Sequence, residues 1–403
     1  MEDLSFGSLA AVAAIALVAP LLVSLAPRLR VPAVVLEILL GVLVGPAVLG
    51  WVEVEVPLEV LSLLGLSFLL FLGGLELDLG SVRSQGPRIL LAYGVSAGLA
   101  LAAGSMVTLV DDDNQGLFIA ITLASTSLGL VVPVLRDAKA SFSPLGQLAL
   151  AASSVGEFGA VLALALFYSE GGSTIETQVF LLVAFSILVV AVAFAFTRVQ
   201  LSPRFADTLI RQEETSSQLG VRIAMLVMAV FVALSTDLGF EAVLGAFVAG
   251  ALLRLTDPDE RLTHARLRSK LDAIGYGFLI PAFFVTTGPQ LDVDALFNEP
   301  GALVLVPILL VAFLVVRGVP ALLYRGLRTR RETVAVGLLQ ATTLSVPVVA
   351  ARVGLELGTI DSDTAAAIVL AGLLTVVLFP PLALMALGGP ADAGGANESA
   401  DKE

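Results

Sequence analysis

The chain has no cysteine and a single histidine, His264, among its 403 residues. The absence of cysteine excludes disulfide bonds, thiolate metal sites and cysteine nucleophiles together. His264 lies in a charged connection between hydrophobic runs, and we interpret it as a solvated loop residue. A Ser-His-Asp hydrolase or a metalloenzyme therefore lacks its parts, and the sequence predicts a protein that is not an enzyme and holds no cofactor.

Charged residues are also scarce, at 14% against 57% hydrophobic residues. A mean hydropathy of +0.98 leaves too little polar surface to cover a soluble globule of this length. Apolar runs of roughly 20 residues recur, and each is long enough to cross the ~30 Å hydrocarbon core as a helix. The sequence thus predicts an all-α membrane protein with about thirteen transmembrane helices. The predicted spans lie near 8–26, 31–50, 57–76, 89–110, 116–135, 145–168, 178–197, 217–234, 239–254, 272–288, 301–324, 333–354 and 362–387.

Lysine and arginine fall in every second loop, which predicts the orientation because short cytoplasmic loops retain positive charge. The basic loops include Arg28 and Arg30, Arg136 and Lys139, and Arg325 to Arg331, whereas the intervening loops carry acids such as Glu53, Asp111 to Asp113 and Asp361. We therefore expect a multi-pass protein of the cell (inner) membrane with its N-terminus outside and its C-terminus in the cytoplasm. Glu2 and Asp3 precede the first run, which favours a retained helix over a removable signal peptide.

The net charge of −13 is spread over loops and tail rather than gathered in one patch. This distribution argues against a nucleic-acid partner, so the expected partner is the lipid bilayer. Residues 388–403 are rich in Gly, Ala, Asp and Glu, a composition typical of a disordered tail, here a cytoplasmic one.

Three local echoes suggest an inverted repeat of six helices, one linker helix and six helices. EILLGVLVG from Glu37 resembles EAVLGAFVAG from Glu241, GLELD from Gly74 resembles GPQLD from Gly288, and TSLGLVVP from Thr126 resembles TTLSVP from Thr342. The partners are seven spans apart, an odd number, so paired segments cross the membrane in opposite directions. We predict a first repeat at about 8–168, a linker helix at about 178–197 and a second repeat at about 217–387 within a transmembrane domain of residues 1–387.

The third echo has the clearest chemical meaning. Serine and threonine clustered with glycine or proline in a membrane helix release backbone carbonyls, which is tolerated only beside protein or a water-filled cavity. We expect two discontinuous helices that cross near the midplane, with a compensating charge close to their facing dipole ends. The alternative is that the hydroxyls bond back to the preceding turn and the prolines only kink the spans. The residues concerned are Thr126, Ser127, Pro133, Thr342, Thr343, Ser345 and Pro347.

Two ionisable residues lie well inside predicted spans, where each costs roughly 2.5 to 3.5 kcal/mol to insert. Glu157 follows Ser153 and Ser154 by one turn, and Arg317 interrupts the eleventh span. Desolvation favours the neutral form of a buried carboxylate, whereas a bound cation favours the ionised form, so proton and cation compete for Glu157. If the protein changes sides only when Glu157 is neutralised, exchange is obligatory and the protein is an antiporter. Alternatively Glu157 packs against Arg317 or the backbone, and Arg317 either balances helix dipoles or extends towards the cytoplasmic face.

The sequence resembles the family of monovalent cation:proton antiporters, which includes bacterial sodium/proton exchangers and the membrane part of Kef-type potassium efflux systems. The resemblance covers nearly the whole chain and rests on the segments VLEILLGVLVGPAVLG, FLLFLGGLELDL, STSLGLVVPVLRD, GAFVAG and PAFFVTTGPQLDV. It implies a homodimer in which each protomer has a dimerisation domain beside a mobile six-helix core. It also implies that the fifth, sixth, eleventh and twelfth spans form the crossed pair and its neighbours.

In this resemblance Glu157 takes the ion-binding aspartate position, with Thr126, Ser127, Ser153 and Ser154 around a bound monovalent cation. The family usually has two polar residues there, and this chain has Gly156 before Glu157. One remaining acidic carrier implies electroneutral, one-for-one exchange of sodium or potassium for protons. No Gly-rich nucleotide-binding fingerprint follows the last span, although a separate regulatory subunit is compatible with the sequence. A sodium-coupled symporter of the same architecture and a non-transporting membrane sensor remain alternatives.

Overall fold

The computed structural model is mainly helical over the residues it describes, which are 6–25, 32–46, 48–76, 79–108, 115–167, scattered positions between 176 and 194, 218–238, 240, 242–256, 265–290 and 300–387. No strand occurs among them. The first seven helices are α1 (Phe6–Leu25), α2 (Ala33–Val44), α3 (Val56–Glu76), α4 (Leu79–Thr108), α5 (Gln115–Leu123), α6 (Leu128–Asp137) and α7 (Pro144–Phe167). The later ones are α8 (Leu219–Asp237), α9 (Ala242–Thr256), α10 (Ala265–Ile274), α11 (Ile280–Gln290), α12 (Pro300–Phe313), α13 (Arg330–Gln340), α14 (Ser345–Glu356) and α15 (Ser362–Ala386).

Two π-helical turns interrupt long helices. Gly275–Leu279 joins α10 to α11, and Leu314–Gly318 follows α12 and leads into a 3₁₀ turn, Val319–Tyr324. Such turns insert an extra residue into the helix and are frequent at functional sites. The second of them carries Arg317.

Helix length and composition confirm a membrane protein. Within the described residues, ten helical segments are long and apolar enough to cross a bilayer, and Ala33–Val44 and Leu244–Thr256 are shorter apolar helices. Every predicted span except the seventh coincides with a described helical segment. The seventh, 178–197, lies largely outside the described residues, so the total helix count stays a prediction.

The described residues form two compact units. One unit takes residues from Met1–Glu55, Gly80–Leu164 and Phe284–Glu403, and it contains α1, α2, α12 to α15 and nearly all of α4 to α7. The other takes residues from Val56–Leu79 and Ala165–Phe283, and it contains α3 and α8 to α10. In this second unit a Cβ at Gly74 would overlap the backbone of Phe247, and one at Gly250 would overlap that of Phe71. Only glycine lets α3 and α9 approach this closely.

The inverted repeat stays a prediction. Glu241, Asp292 and His264 lie outside the described residues, as do 388–403. The glycines of the first echo do share a packing role, because a Cβ at Gly41 would overlap the carbonyl of Val285 and one at Gly245 would overlap the carbonyl of Phe231.

Candidate functional site

Two helices are interrupted inside the first unit, as the sequence predicts. The chain leaves helical geometry at 124–127, between α5 and α6, and again at 341–344, between α13 and α14. Ser127 has an extended backbone, with φ −93° and ψ 99°. Both segments are rich in Ser and Thr, whose side chains can replace the missing backbone partners.

The two breaks cross and bond to each other. The Ser127 N–H donates to the carbonyl of Thr342 at 3.0 Å. The Ser127 hydroxyl accepts from the N–H groups of Leu344 at 2.8 Å and Ser345 at 3.1 Å. These bonds give partners to backbone groups that interrupted helices would otherwise leave unsatisfied in a membrane.

Glu157 lies at the point where α6 begins. It belongs to α7, is 1% exposed, and its Oε2 accepts the N–H of Leu128, the first residue of α6, at 2.9 Å. The carboxylate therefore caps a helix N-terminus, where the macrodipole favours negative charge. Among the described residues this is the only hydrogen bond that it makes, so lone pairs remain for a proton or a cation.

Arg317 is also 1% exposed, and neutral groups surround it. Its Nε donates to Thr126 Oγ1 at 2.7 Å, its Nη1 donates to Ser96 Oγ at 3.2 Å, and its Nη2 lies 3.5 Å from the carbonyl of Ala152. The guanidinium carbon lies 5.5 Å from the centroid of the Tyr93 ring, a cation–π distance. No bond joins Arg317 to Glu157 within the described part of the chain.

Gly156 makes room for this guanidinium. A Cβ at Gly156 would overlap Arg317 Nη2 and would lie 3.0 Å from Thr126 Oγ1. A Cβ at Gly159 would overlap the Tyr93 hydroxyl. The absence of a side chain at the position before Glu157 therefore lets Arg317 lie against the backbone of α7.

The remaining predicted site residues divide by how their oxygens are used. Thr126 Oγ1 donates to the carbonyl of Gln340 at 2.6 Å while it accepts from Arg317. The hydroxyls of Ser154 and Thr342 donate to the carbonyls of Leu150 and Leu338 in the preceding turn of their own helices, which is the alternative that the sequence left open. Ser153 is fully buried, and no described group bonds its hydroxyl.

The second break, at 341–344, is held by hydrogen bonds to the first break and to α15. Thr343 Oγ1 lies 2.9 Å from Ser125 Oγ. Its backbone N–H donates to Thr375 Oγ1 at 2.9 Å. Ser345 Oγ lies 3.2 Å from Ser127 Oγ. Thr343 and Ser345 thus contribute to the crossing itself rather than to the surroundings of Glu157.

The two prolines have different positions. Pro133 lies inside α6, where it removes a hydrogen bond from the ladder. Pro347 lies in the first turn of α14, where its missing N–H needs no helical partner. It packs against Gly372, whose Cβ would lie 3.2 Å from the Pro347 ring. Of these two prolines, only Pro133 is therefore in a position to kink a helix.

Sequence reasoning missed five residues of this site: Tyr93, Ser96, Ser125, Gln340 and Thr375. A polar residue inside a span is the signal that could have found them. Their partners are distant in sequence, however, since Ser96 is 221 residues from Arg317. Spacing alone does not reveal such contacts.

The charges follow the dipoles of the interrupted helices. Glu157 lies at the N-terminal end of α6. Arg317 donates to the Thr126 hydroxyl, which in turn donates to the carbonyl of Gln340, the last residue of α13. A negative group at a helix N-terminus and a positive group near a C-terminus are both stabilising. The N-terminal end of α6 therefore favours negative charge at Glu157, while Arg317 acts on the end of the other interrupted helix.

Comparisons with known proteins identify the family of the chain. The family model described as "Sodium/hydrogen exchanger, transmembrane" matches residues 13–384. The chain is 32% identical over 396 residues to a Bacillus subtilis protein named "Putative Na(+)/H(+) antiporter YjbQ", and the match covers 94% of this chain and 63% of that protein. The chain therefore spans less than two thirds of that relative.

Two further likenesses cover nearly complete proteins. The chain is 26% identical over 367 residues to the Na(+)/H(+)-K(+) antiporter GerN of Bacillus cereus, covering 89% of this chain and 90% of that protein. The structure of the sodium proton antiporter MjNhaP1 from Methanocaldococcus jannaschii superposes with a TM-score of 0.62 at 16% identity, covering 96% of this chain and 97% of that one. At this identity the likeness to MjNhaP1 concerns the fold.

Proposed function

Because the chain belongs to the sodium/hydrogen exchanger family, whose members are secondary transporters and not enzymes, we propose that it exchanges a monovalent cation for protons across the cell membrane. The observation that carries the proposal is the buried Glu157 carboxylate, which caps an interrupted helix through a single described hydrogen bond. A carboxylate in this position binds a proton or a cation, but not both, because either one neutralises its charge.

Because a proton and a cation compete for the single Glu157 carboxylate, one proton is exchanged for one cation. Gly156 supplies no second acidic carrier, and Arg317 stays bonded to hydroxyls and a tyrosine ring rather than to Glu157. One change of side then carries a cation, and the return carries a proton, so a full cycle moves one cation one way and one proton the other way. Exchange is electroneutral and independent of the membrane potential.

Alternating access requires that only the neutralised site changes sides. An ionised Glu157 with neither proton nor cation carries an uncompensated charge, which is costly in a region from which water is excluded. The neutralised site avoids this cost. The obligatory link between cation and proton movement follows from this difference.

The proposed ions, oligomeric state and location rest on the resemblance to the antiporter family and on the relatives described above. Sodium and potassium are both candidate substrates, since hydroxyls and carbonyls accept either ion and GerN is named for both. A homodimer in the cell membrane, with no resident cofactor, completes the proposal.

The test is cation-driven proton movement in proteoliposomes, with sodium and potassium added in turn and the membrane potential either clamped or free. Glu157→Gln should abolish exchange, because its neutral amide takes up no proton and offers a cation no negative charge. Glu59→Gln is the matched control, since Glu59 is an exposed carboxylate on α3.

Three outcomes decide the proposal. Exchange that is lost in Glu157→Gln, retained in Glu59→Gln and indifferent to potential supports electroneutral antiport through Glu157. Exchange that survives Glu157→Gln moves the carrier elsewhere. A wild-type protein that is folded and moves no protons with either cation contradicts antiport itself.

A further inference from the structure

Glu37 is a second buried carboxylate that the proposed exchange mechanism does not use. It lies on α2 and is 7% exposed. Among the described residues no hydrogen bond or ion pair satisfies its carboxylate. A buried ionisable group inside a membrane helix is expensive and usually has a function.

The charge that acts on Glu37 is that of another carboxylate, Asp137, which belongs to the helix α6 that packs against α2. Asp137 is the last residue of α6 and is exposed to water. Its carboxylate accepts the backbone N–H of Ala33, the first residue of α2, one turn before Glu37. The end of α6 is thereby bonded to the start of α2, and Asp137 connects the buried Glu37 to water.

The other groups around Glu37 are neutral. α1 packs against α2, and neither Phe6–Leu25 nor Ile280–Gln290 contains a titratable residue. Arg136 lies beside Asp137 and is the one cation that faces this pair among the described residues. Arg28 and Arg30 precede α2 in the sequence and lie outside the described residues.

α6 therefore has a carboxylate at each end. Glu157 bonds its first residue, Leu128, and Asp137 ends it nine residues later, about 13 Å away. Because α6 is a short rigid element, the attachment of its far end to α2 affects how freely its Glu157 end moves.

We propose that Glu37 and Asp137 form a second proton-binding site, which fastens α6 to α2 while it holds one proton and releases α6 when the proton is lost. With the proton present, the neutral Glu37 donates its O–H to the Asp137 carboxylate. When that proton passes to water, two facing carboxylates remain and repel each other. Exchange is slow while α6 is fastened to α2. Because a rising pH removes the proton that fastens them, the rate of exchange increases with pH.

The experiment measures the distance between α2 and α6 directly. The chain has no cysteine, so spin labels can be attached at Leu39→Cys, where the side chain is 38% exposed, and at the half-buried Ala138→Cys without removing native residues elsewhere. Distances in lipid nanodiscs are recorded between about pH 6 and about pH 9, and the short-distance fraction should fall about tenfold per pH unit above the midpoint.

Variants separate a shared proton from a simple helix cap. Glu37→Gln keeps a neutral donor towards Asp137, so the distance should stay short at all pH values and exchange should stay at its slow, acid-side rate. Asp137→Asn keeps an oxygen for the Ala33 N–H but removes the charge, and it should also abolish the pH response. Glu59→Gln should respond as the wild type does.

A wild-type distance that does not change with pH overturns the proposal, as does a wild-type response in Glu37→Gln. The proposal rests on the antiport function only for its effect on rate. If proton flux is absent while the distance still responds to pH in a Glu37-dependent way, the antiport function fails and the second proton site stands. If flux is present and the distance is invariant, the second site fails and antiport stands.

Discussion

At the scale of single residues, the site distinguishes two adjacent serines on α7. The Ser154 hydroxyl bonds to the carbonyl of Leu150, whereas the fully buried Ser153 hydroxyl has no described partner. Ser153 is also one turn before Glu157 on the same helix face. An unsatisfied buried hydroxyl is destabilising unless a ligand or water completes it.

Ser153→Ala should therefore lower transport while it stabilises the protein. We expect the KM for the cation to rise about tenfold, the loss of one ligand interaction of ~1.4 kcal/mol. The melting temperature of the solubilised protein should rise slightly, because an unsatisfied polar atom is removed. Ser154→Ala is the neighbouring control and should leave KM near the wild-type value. Equal effects of the two substitutions on KM would contradict the distinction.

At the scale of helices, the sequence predicted the interrupted elements well and their contacts poorly. Clustered Ser and Thr located both breaks, because these residues can partner freed backbone groups wherever the rest of the fold lies. The same reasoning placed Thr126 near the cation but did not predict that its hydroxyl bonds to Arg317 and Gln340. Which partner a hydroxyl takes depends on packing between helices that are far apart in sequence.

Close approach between helices gives a prediction on α4. A Cβ at Gly104 would overlap the carbonyl of Gly116, whereas Gly98 on the same helix has open space around it. Gly98→Ala should stabilise by up to ~1 kcal/mol through helix propensity. Gly104→Ala should destabilise by about 1–3 kcal/mol, because α4 and α5 must separate. Thermal or denaturant unfolding in one detergent measures both, and a Gly104→Ala protein as stable as Gly98→Ala would show that the helices are not this close.

The start of α15 gives a prediction on pH. Asp361 accepts the Thr364 N–H at 2.8 Å, and hydrogen bonds from Thr364 lower the pKa of Asp361 below its ordinary value. Since the folded pKa is the lower one, the stabilisation is present above the ordinary pKa of an aspartate and is lost as the pH falls through the lowered pKa. Asp361→Asn retains a capping oxygen that does not titrate.

Amide exchange of the first turn of α15 measures this effect. Protection in the wild type, taken as a ratio to Asp361→Asn at each pH, should decline on the acidic side and stay constant near neutrality. A constant ratio over the whole range would show that the Asp361 charge contributes nothing to the cap.

At the scale of the whole molecule, composition predicted the membrane and the helices because the bilayer leaves so few alternatives. A span must be apolar and about 20 residues long, and both properties can be read locally. The pairing of the breaks needed the repeat pattern as well. The contacts of Glu37 could not be predicted, since its echo with Glu241 suggested an inverted repeat and did not point to Asp137.

The orientation of the chain is the whole-molecule prediction that the cysteine-free sequence makes easiest to test. Loops rich in arginine and lysine should lie in the cytoplasm, because positive residues in short loops resist translocation. Glu53 and Lys139 are both exposed and fall in loops of opposite charge. A cysteine at Glu53 should react with a membrane-impermeant maleimide in intact cells, whereas one at Lys139 should react only after permeabilisation. The reverse pattern would place the Glu37 and Asp137 pair on the outer side, where it would respond to external rather than cytoplasmic pH.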